Sequence, residues 1–362
     1  MNLRIPGPIP VPNNILEAMA NPMINHRGPE FAELLNRVTD GLKQVFQTNN
    51  DLYIFTASGT GVMEAAIVNT LSPGDNVLSA SVGVFGDRFA EIASTYGAKV
   101  EKLKFAEGKG VDPNLIRESL VKNPNIKAVL VVHNETSTGV TNPLPEIAKI
   151  VKTEFNKLLL VDGISSVGSI PVQTDLLGCD VVATASQKGW MLPPGLAFLS
   201  FSSEAWKAHK VSKMPKFYFD IANYEKYLKI GQPPFTPALS VMYSLDIALR
   251  QILDEGIENV FERHFDIAEA TRNGIKNIGL ELFADKSVAS NTVTSVKIPD
   301  NIDAKLLMST MRKKYNIVLA GGQKELSGKI FRIGHLGLCT HQEIEDVIES
   351  LKKSLPNCKL AS

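Results

Sequence analysis

The hydrophobic positions along the chain alternate repeatedly between two kinds of spacing. Residues 128–133 form a continuous apolar run that ends in a histidine, and such a run predicts a strand buried on both faces of a sheet. Residues 30–46 instead place apolar side chains at three- and four-residue steps, which predicts an amphipathic helix. Strands that alternate with helices in this way indicate an α/β fold with a mostly parallel central sheet and right-handed crossovers.

The same alternation extends through most of the chain. Further strands are predicted at 53–56, 76–79, 158–162 and 180–185, with a less regular one at 98–103. Helices are predicted at 62–71, 85–96 and 145–155, and one long helical stretch is predicted from 238 towards 266 and beyond. From about residue 291 the alternation resumes, with strands at 292–298 and 329–333 and helices at 304–315 and 342–351.

The length of 362 residues favours two domains over one. The beginning of the chain is rich in proline and is predicted to form an irregular arm. We therefore predict an N-terminal arm at 1–15, a large domain at 16–260 and a smaller α+β domain at 261–362.

Charge, hydropathy and cysteine content limit the partners and the cellular compartment that we expect for this protein. The 38 basic and 38 acidic residues balance, so net charge gives no reason to expect a nucleic acid or an anionic membrane as partner. No apolar run is long enough to span a membrane, and Pro6, Pro8 and Pro10 interrupt the apolar core that a signal peptide needs. Three widely spaced cysteines fit a reducing compartment, so we expect a cytoplasmic protein.

Residues with chemical potential follow four of the predicted strands. Ser58, His133, Asp162 and Lys188 each lie at or just past the end of a strand. In sheets of this kind ligands bind beyond the carboxyl ends of the strands, so we expect these side chains to share one site. The coincidence at four strands indicates a site more strongly than any single motif does.

The segment Ser58-Gly59-Thr60-Gly61 lies between a predicted strand and a predicted helix. Backbone amides at a helix N-terminus suit a phosphate, and small residues allow it to approach closely. The alternative is an ordinary turn in which a Ser or Thr side chain only caps the helix.

Lys188 and Asp162 are the residues on which the chemical interpretation depends. A lysine at the mouth of an α/β sheet is placed to form a Schiff base with a carbonyl, although most strand-end lysines are surface residues. The polar Gln187 before it and the turn-forming 190–195 after it favour a partly buried amine with a lowered pKa. Asp162 would favour the protonated form of a pyridine nitrogen, or alternatively cap the turn that follows. Such a pair is the minimum for pyridoxal phosphate chemistry.

Four other residues have both a chemical and a structural interpretation. Phe85 would either stack on a planar ring or fill the core. Arg332, inside a predicted apolar strand, needs an anionic partner, which would be a substrate carboxylate or a structural Asp or Glu. Cys339 would be a nucleophile or, more commonly, a small buried thiol. We expect His133 to be a core histidine satisfied by backbone.

Taken in order, these segments resemble the class V aminotransferases of the alanine–glyoxylate and serine–pyruvate group, which are pyridoxal phosphate enzymes of fold type I. The resemblance runs from Pro6 to Gly334. The segments that carry it are Ser58-Gly59-Thr60-Gly61, residues 133–139, Leu159-Leu160-Val161-Asp162, Ser186-Gln187-Lys188 and Pro193-Pro194-Gly195. Each segment alone is weak evidence for this family, whereas all of them in this order are strong evidence for it.

The resemblance implies a role for each site residue. Lys188 would form the Schiff base with pyridoxal phosphate, and Asp162 would pair with its pyridine nitrogen. Phe85 would stack on the ring, Thr136 would lie near the ring hydroxyl, and Arg332 would bind the substrate carboxylate. The phosphate would be held by Ser58, Gly59, Thr60 and Gln187, together with Thr236 of a second subunit. The resemblance therefore also implies a homodimer with shared active sites.

Two positions depart from the family pattern. Pro233 stands three residues before Thr236, where relatives often have Tyr, so phosphate binding across the dimer would be weaker or differently built. Thr60 stands where some relatives have His, so Thr60 would contact the phosphate through its backbone or its hydroxyl.

The implied activity is transamination, with serine or alanine as donor and glyoxylate or pyruvate as acceptor. Aspartate is an alternative donor, whose second carboxylate would want a further cation, for which Arg27, Arg88 and His26 are candidates. A pyridoxal phosphate lyase or cysteine desulfurase is a weaker alternative, because Cys339 follows Arg332 whereas a desulfurase would need a mobile cysteine before it. A non-enzymatic subunit of the same fold would not need an intact set of site residues.

Overall fold

The computed structural model describes residues 1–360 and contains two main β-sheets with helices packed around them. The strands are β1 (Asn2–Arg4), β2 (Asp51–Phe55), β3 (Asn76–Ser81), β4 (Lys99–Lys104), β5 (Ile126–Val132), β6 (Asn134–Glu135), β7 (Val140–Thr141), β8 (Leu158–Asp162), β9 (Val181–Ala185), β10 (Ala197–Phe201), β11 (Val293–Lys297), β12 (Ile317–Gly321) and β13 (Ile330–Gly334). The helices are α1 (Asn13–Ala18), α2 (Pro29–Phe46), α3 (Gly59–Thr70), α4 (Val84–Thr95), α5 (Pro113–Lys122), α6 (Leu144–Ala148), α7 (Ser203–Val211), α8 (Ile221–Leu228), α9 (Leu239–Glu255), α10 (Ile257–Asn277), α11 (Ala304–Tyr315) and α12 (His341–Ser354).

The large sheet has seven strands in the order β2-β10-β9-β8-β5-β3-β4. Neighbouring strands from β9 to β4 run parallel, and only β10 runs antiparallel, to β2 on one side and to β9 on the other. The prediction of a mostly parallel sheet is thus confirmed. The antiparallel β10 was not predicted from the sequence.

Both faces of this sheet are covered by hydrophobic cores. Along β5, Val129 and Val131 pack into one core, while Ala128 and Leu130 pack into the other. This alternation explains the continuous apolar run, because successive side chains of a strand point to opposite faces and here both faces are buried. A third core, made of residues between Ile267 and Cys358, lies under the second sheet.

The second sheet has the order β1-β12-β13-β11 and joins the two ends of the chain. The prediction of an irregular arm at 1–15 was wrong at both ends, because Asn2–Arg4 pair in parallel with β12 and helix α1 begins at Asn13. Such a short strand has no periodicity to read, and its partner lies more than 300 residues away. The pairing is therefore set by tertiary structure and not by local pattern.

Most predicted helices were confirmed with shifted ends, and two needed correction. The long helix predicted from 238 is two helices, α9 and α10, because Gly256 between them has a φ of +84°. A glycine adopts this left-handed conformation at little cost, and the helix cannot continue through it. The helix predicted at 145–155 begins as α6 and ends as a π-helical segment, Lys149–Glu154. Within residues 1–360, no helix is long and apolar enough to cross a membrane.

Candidate active site

A cleft lies at the carboxyl ends of β2, β3, β5, β8 and β9. Most of the predicted site residues line it together, namely Ser58, Gly59, Thr60, Phe85, Thr136, Asp162, Gln187 and Lys188. Asn134 and Ser165 also line it and had no predicted role, and so does Arg88, one of the three candidate cations for the second carboxylate of aspartate. The expectation that strand ends converge on one site is confirmed for Ser58, Asp162 and Lys188, but it was wrong for His133, which is buried and does not line the cleft.

Lys188 lies three residues after β9, with its amine turned towards the N-terminal arm. Its Nζ atom is 2.6 Å from the carbonyl oxygen of Pro6. Burial lowers the pKa of Lys188 to about 8, Asp162 opposes this shift, and the positive charge of Arg332 adds to it. A lysine with such a pKa has much more free amine near neutral pH than an ordinary surface lysine.

The arm forms one wall of this site, a feature that the sequence pattern did not reveal. Gly7 has a φ of +136°, and a Cβ atom added to it would lie 2.7 Å from the Nζ atom of Lys188. Gly334 at the end of β13 is similarly crowded, because a Cβ atom there would collide with the carbonyl of Ile5. Two glycines thus allow the arm to pass between the lysine and the second sheet.

Asp162 ends β8 and is almost fully buried. Burial raises the pKa of Asp162 to about 7, the nearby Glu135 also raises it, and Lys188 and Arg88 lower it. One carboxylate oxygen, Oδ1, accepts a hydrogen bond from the backbone amide of Ile164 at 2.9 Å. The capping interpretation therefore accounts for one oxygen of Asp162 and does not account for its position on the cleft.

Glu135 is a buried carboxylate that the sequence analysis did not assign, although it lies inside the segment 133–139. It accepts hydrogen bonds from the backbone amides of Phe85 at 3.1 Å and Gly86 at 3.0 Å, in the first turn of α4. The positive end of the helix dipole favours a carboxylate here, while burial raises the pKa of Glu135. These contacts fix the turn that presents Phe85 to the cleft.

The turn before α3 offers hydrogen-bond donors to the same cleft. Ser58 is the N-cap residue, but its side chain makes no capping hydrogen bond, so the alternative of a simple cap does not account for its hydroxyl. The first amides of a helix have no intrahelical acceptors. Gln187 adds a buried side-chain oxygen, Oε1, that has no hydrogen-bond partner in the described chain. Gly59 is required for packing, because a Cβ atom there would lie 2.6 Å from Cδ1 of Ile164.

Arg332 lies on β13 and reaches the turn between β6 and β7. Its Nη1 atom donates to the carbonyl of Thr136 at 3.0 Å, and Nε and Nη2 donate to the carbonyl of Gly321 at 3.1 and 2.8 Å. The alternative of a structural ion pair is wrong, because no Asp or Glu within residues 1–360 forms one with it. Backbone carbonyls hold the guanidinium but leave its charge without an acidic partner.

Two predicted site residues do not line the cleft: Arg332, which contacts the carbonyl of Thr136 beside it, and Thr236, which lies apart from it. Thr236 is exposed and borders a separate surface depression with Met23 and His26. The predicted contact between Thr236 and the phosphate therefore requires a second subunit, and it stays a prediction.

His133 and Cys339, for which the sequence also allowed a purely structural role, are both buried. Burial lowers the pKa of His133 to about 4, but its Nδ1 atom has no partner in the described chain, so backbone does not satisfy the ring as expected. Cys339 is a buried thiol whose pKa is raised to about 11, with Nη1 of Arg4 at 2.6 Å from its sulfur. A thiol with that pKa is a poor nucleophile at neutral pH.

The groups that line the cleft fit pyridoxal phosphate. A lysine amine, a buried carboxylate and an aromatic ring are present, and hydroxyls, helix amides and the unpaired Gln187 oxygen mark a polar end. In this arrangement Lys188 would bind the cofactor aldehyde, Asp162 its ring nitrogen and the α3 turn its phosphate.

Comparison with known proteins identifies the family. The sequence pattern of the family described as "Aminotransferase class-V" matches residues 13–345. The soluble hydrogenase 42 kDa subunit of Anabaena cylindrica is 43% identical, over 97% of this chain and 92% of its own length. The L-aspartate–glyoxylate aminotransferase of Paracoccus denitrificans is 37% identical, over 93% and 86%. The serine–glyoxylate aminotransferase of Methylorubrum extorquens is 36% identical, over 98% and 90%.

Solved structures agree with the sequence relatives. An alanine–glyoxylate aminotransferase from Nostoc sp. superposes with a TM-score of 0.94 at 32% identity, covering 98% of this chain and 94% of that one. A ureidoglycine–glyoxylate aminotransferase from Bacillus subtilis gives 0.93 at 31% identity, covering 99% and 93%. The fold is therefore that of the pyridoxal phosphate-dependent aminotransferases, and pyridoxal phosphate is the cofactor that the family implies. The chain belongs to the class V aminotransferases.

Proposed function

We propose that this chain transfers the amino group of a small amino acid, serine or alanine, to glyoxylate, with pyruvate as a second acceptor. The observation that carries the proposal is the position of Arg332, whose guanidinium contacts the carbonyl of Thr136 while Thr136 lines the same cleft as Lys188 and Asp162. This arrangement places a candidate ligand for an α-carboxylate beside a candidate Schiff-base lysine, as transamination of an amino acid requires.

Each cofactor contact is proposed for a residue of the cleft. Lys188 would bind the cofactor aldehyde, Asp162 the pyridine nitrogen, Phe85 the ring face and Thr136 the ring hydroxyl. Ser58, Gly59, Thr60 and Gln187 would hold the phosphate. When bound, pyridoxal phosphate supplies an electron sink for the bond that breaks at the substrate α-carbon.

The protein's own part in the chemistry is binding and proton transfer. Arg332 has five N–H donors and uses three on backbone carbonyls, so donors are left for a carboxylate. Lys188, once its amine is released, would remove the proton from the substrate α-carbon and return it to the cofactor side. Its lowered pKa supports this role, because the free amine is the base.

Small donors are favoured by the wall that the arm builds next to Lys188. Gly7 lies so close to Nζ that even a methyl group would not fit there. The four aminotransferases described above share glyoxylate in their names but differ in the named amino donor, which is aspartate, serine, alanine or ureidoglycine. All four names support glyoxylate as the acceptor, whereas they do not agree on one donor.

Aspartate is kept as the second candidate donor, because the relative from Paracoccus denitrificans is named for it. A desulfurase activity is not supported, because Cys339 is buried and its pKa is raised to about 11.

We further propose a cytoplasmic homodimer in which Thr236 reaches the phosphate of the partner's cofactor. The exposure of Thr236 supports this, as do the exposed side chains of Met23 and Phe217 on the same chain. Light scattering of the purified protein would give the mass of a dimer, and a strictly monomeric active protein would contradict shared sites.

A panel of donors and acceptors tests the proposed activity. Alanine, serine and aspartate would each be incubated with glyoxylate or pyruvate, and the new amino acid would be measured by mass spectrometry. We expect glycine from glyoxylate with alanine or serine as donor. The Lys188→Ala protein, purified identically, controls for contaminating aminotransferases. A wild-type protein that binds pyridoxal phosphate but converts none of these pairs would contradict the proposal.

A further inference from the structure

Arg88 is a cation of the cleft to which the functional assignment gives no role. It lies on α4, three residues after Phe85, so both side chains project from the same face of the helix. Its Nη1 atom is 3.5 Å from Oγ1 of Thr60, and its guanidinium carbon is 4.9 Å from the centre of the Phe85 ring. Arg88 thus lies between the aromatic ring and the first turn of α3.

Among the described residues Arg88 forms no ion pair, although it lies near enough to Asp162 to lower the pKa of that carboxyl. Among residues 1–360, no Asp or Glu lies within ion-pair distance of its guanidinium. The adjacent Asp87 instead accepts a hydrogen bond from Ser81 at 3.1 Å and lies 3.9 Å from Lys102. A partly buried cation that lines a cavity and forms no ion pair is stabilised by an anionic ligand.

The position of Arg88 distinguishes between two possible anions, the cofactor phosphate and a substrate carboxylate. Its polar neighbour is Thr60, in the turn where α3 presents its amides, whereas Arg332 contacts Thr136 and Gly321. The other groups proposed at the phosphate end, Ser58, Thr60 and Gln187, are neutral. A phosphate dianion held only by neutral donors would gain most from a nearby guanidinium.

We propose that Arg88 is a further ligand of the cofactor phosphate, reaching it beside Thr60. The inference rests on the proposed function, because it presupposes that pyridoxal phosphate binds with its phosphate at the α3 turn. It also gives Phe85 and Arg88 a joint role, since one helix turn would present the surface for the ring and the charge for the phosphate.

Binding of pyridoxal phosphate and of pyridoxal, which lacks the phosphate, provides the test. Affinities for the apoprotein would be measured by absorbance and fluorescence titration for wild type, Arg88→Gln and Arg88→Lys. The exposed Arg312→Gln on α11 is the matched control for loss of a positive charge. Melting curves of the apoproteins establish that each variant is folded.

The expected result is specific to the phosphate. Arg88→Gln should weaken pyridoxal phosphate binding roughly 10- to 100-fold, leave pyridoxal binding unchanged and lose the ionic-strength dependence of the wild type. Arg88→Lys should recover part of the loss, because it keeps the charge without the planar fork. Arg312→Gln should bind both compounds as wild type does.

Three results would overturn the inference. Unchanged pyridoxal phosphate affinity in Arg88→Gln would exclude a phosphate contact, and a raised KM for aspartate in that case would assign Arg88 to the substrate. Equal weakening of both compounds would mean that Arg88 acts through the Phe85 ring and the shape of the cleft. A folded wild type that binds neither compound would overturn the proposed function as well, so the two failures are distinguishable.

Discussion

The Nζ atom of Lys188 lies 2.6 Å from the carbonyl oxygen of Pro6, so the N-terminal arm holds the amine that follows the seven-stranded sheet. The arm is itself anchored on the other sheet, where β1 pairs with β12 and Arg4 bonds Glu343 at 3.2 Å. That second sheet also carries Arg332 on β13. One short segment therefore connects the proposed base with the sheet that holds the proposed carboxylate ligand.

Replacement of Gly7 by alanine should displace Lys188. The added Cβ atom would lie 2.7 Å from Nζ, so the amine must move from its position beside Pro6. Misplacing a reacting group by about 1 Å can cost up to about 100-fold in rate, and we expect turnover to fall roughly 10- to 100-fold. Steady-state assays with alanine and glyoxylate would measure the loss.

The control for this substitution is Gly74→Ala. Gly74 has a positive φ of +89°, but a Cβ atom there would contact nothing within 4 Å. It should therefore lose about 1 kcal/mol of stability through backbone strain while keeping its activity. Equal activity of the two variants would mean that the arm does not position Lys188.

The raised pKa of Asp162 should make the stability of the apoprotein depend on pH. Its folded pKa of about 7 exceeds the ordinary 3.8, so between pH 4 and pH 7 the folded state binds more protons than the unfolded state. The free energy of unfolding should therefore fall as pH rises through this window. The Asp162→Asn substitution removes this contribution. Between pH 4.5 and pH 7 its free energy of unfolding should therefore fall less than that of the wild type, and the difference should be about 1 kcal/mol or more.

Urea denaturation of both apoproteins at the two pH values would measure this difference. Identical pH dependence of wild type and Asp162→Asn would contradict a buried carboxyl with a raised pKa. If Asp162→Asn kept the full pyridoxal phosphate affinity of the wild type, the proposed pairing of Asp162 with the ring nitrogen would also be contradicted.

Arg332→Lys should weaken substrate binding while leaving the cofactor in place. Lysine keeps the charge but cannot make the three carbonyl contacts and the planar fork that orient the guanidinium. We expect kcat/KM for alanine to fall roughly 10- to 100-fold, mainly through a higher KM.

The matched control is Arg312→Lys, on the exposed side of α11. It should leave both kinetic constants at the wild-type values. An Arg332→Lys protein with unchanged KM for the amino donor would rule out a carboxylate contact. Loss of pyridoxal phosphate affinity to the same extent would instead indicate that Arg332 only supports the loop of Thr136.

The part of the site that belongs to the large sheet was predictable from the sequence. Ser58, Asp162 and Lys188 follow strands that read as apolar runs, and parallel strands bring their carboxyl ends to one edge. Identification of the cofactor needed the resemblance, because a lysine and a carboxylate at strand ends are each compatible with a purely structural role.

The remaining features depend on contacts between distant segments, which local patterns do not encode. The contact of Pro6 with Lys188 joins residues 182 positions apart, and the one between Arg332 and Thr136 joins residues 196 apart. The role of Glu135 follows from where α4 begins in space. Gly256 did carry a local signal, since a glycine inside a long helical pattern often ends a helix.

The role proposed for Lys188 is tested most directly by locating the covalent bond between the cofactor and the protein. The purified chain would be incubated with pyridoxal phosphate, reduced with borohydride, digested and mapped by mass spectrometry. We expect one modified residue, Lys188, with no such adduct in Lys188→Ala and turnover reduced by roughly 1,000-fold or more in that variant. The exposed Lys207→Ala should keep both the adduct and the activity. An adduct at another lysine, or a Lys188→Ala protein that keeps wild-type turnover, would contradict the role proposed for Lys188.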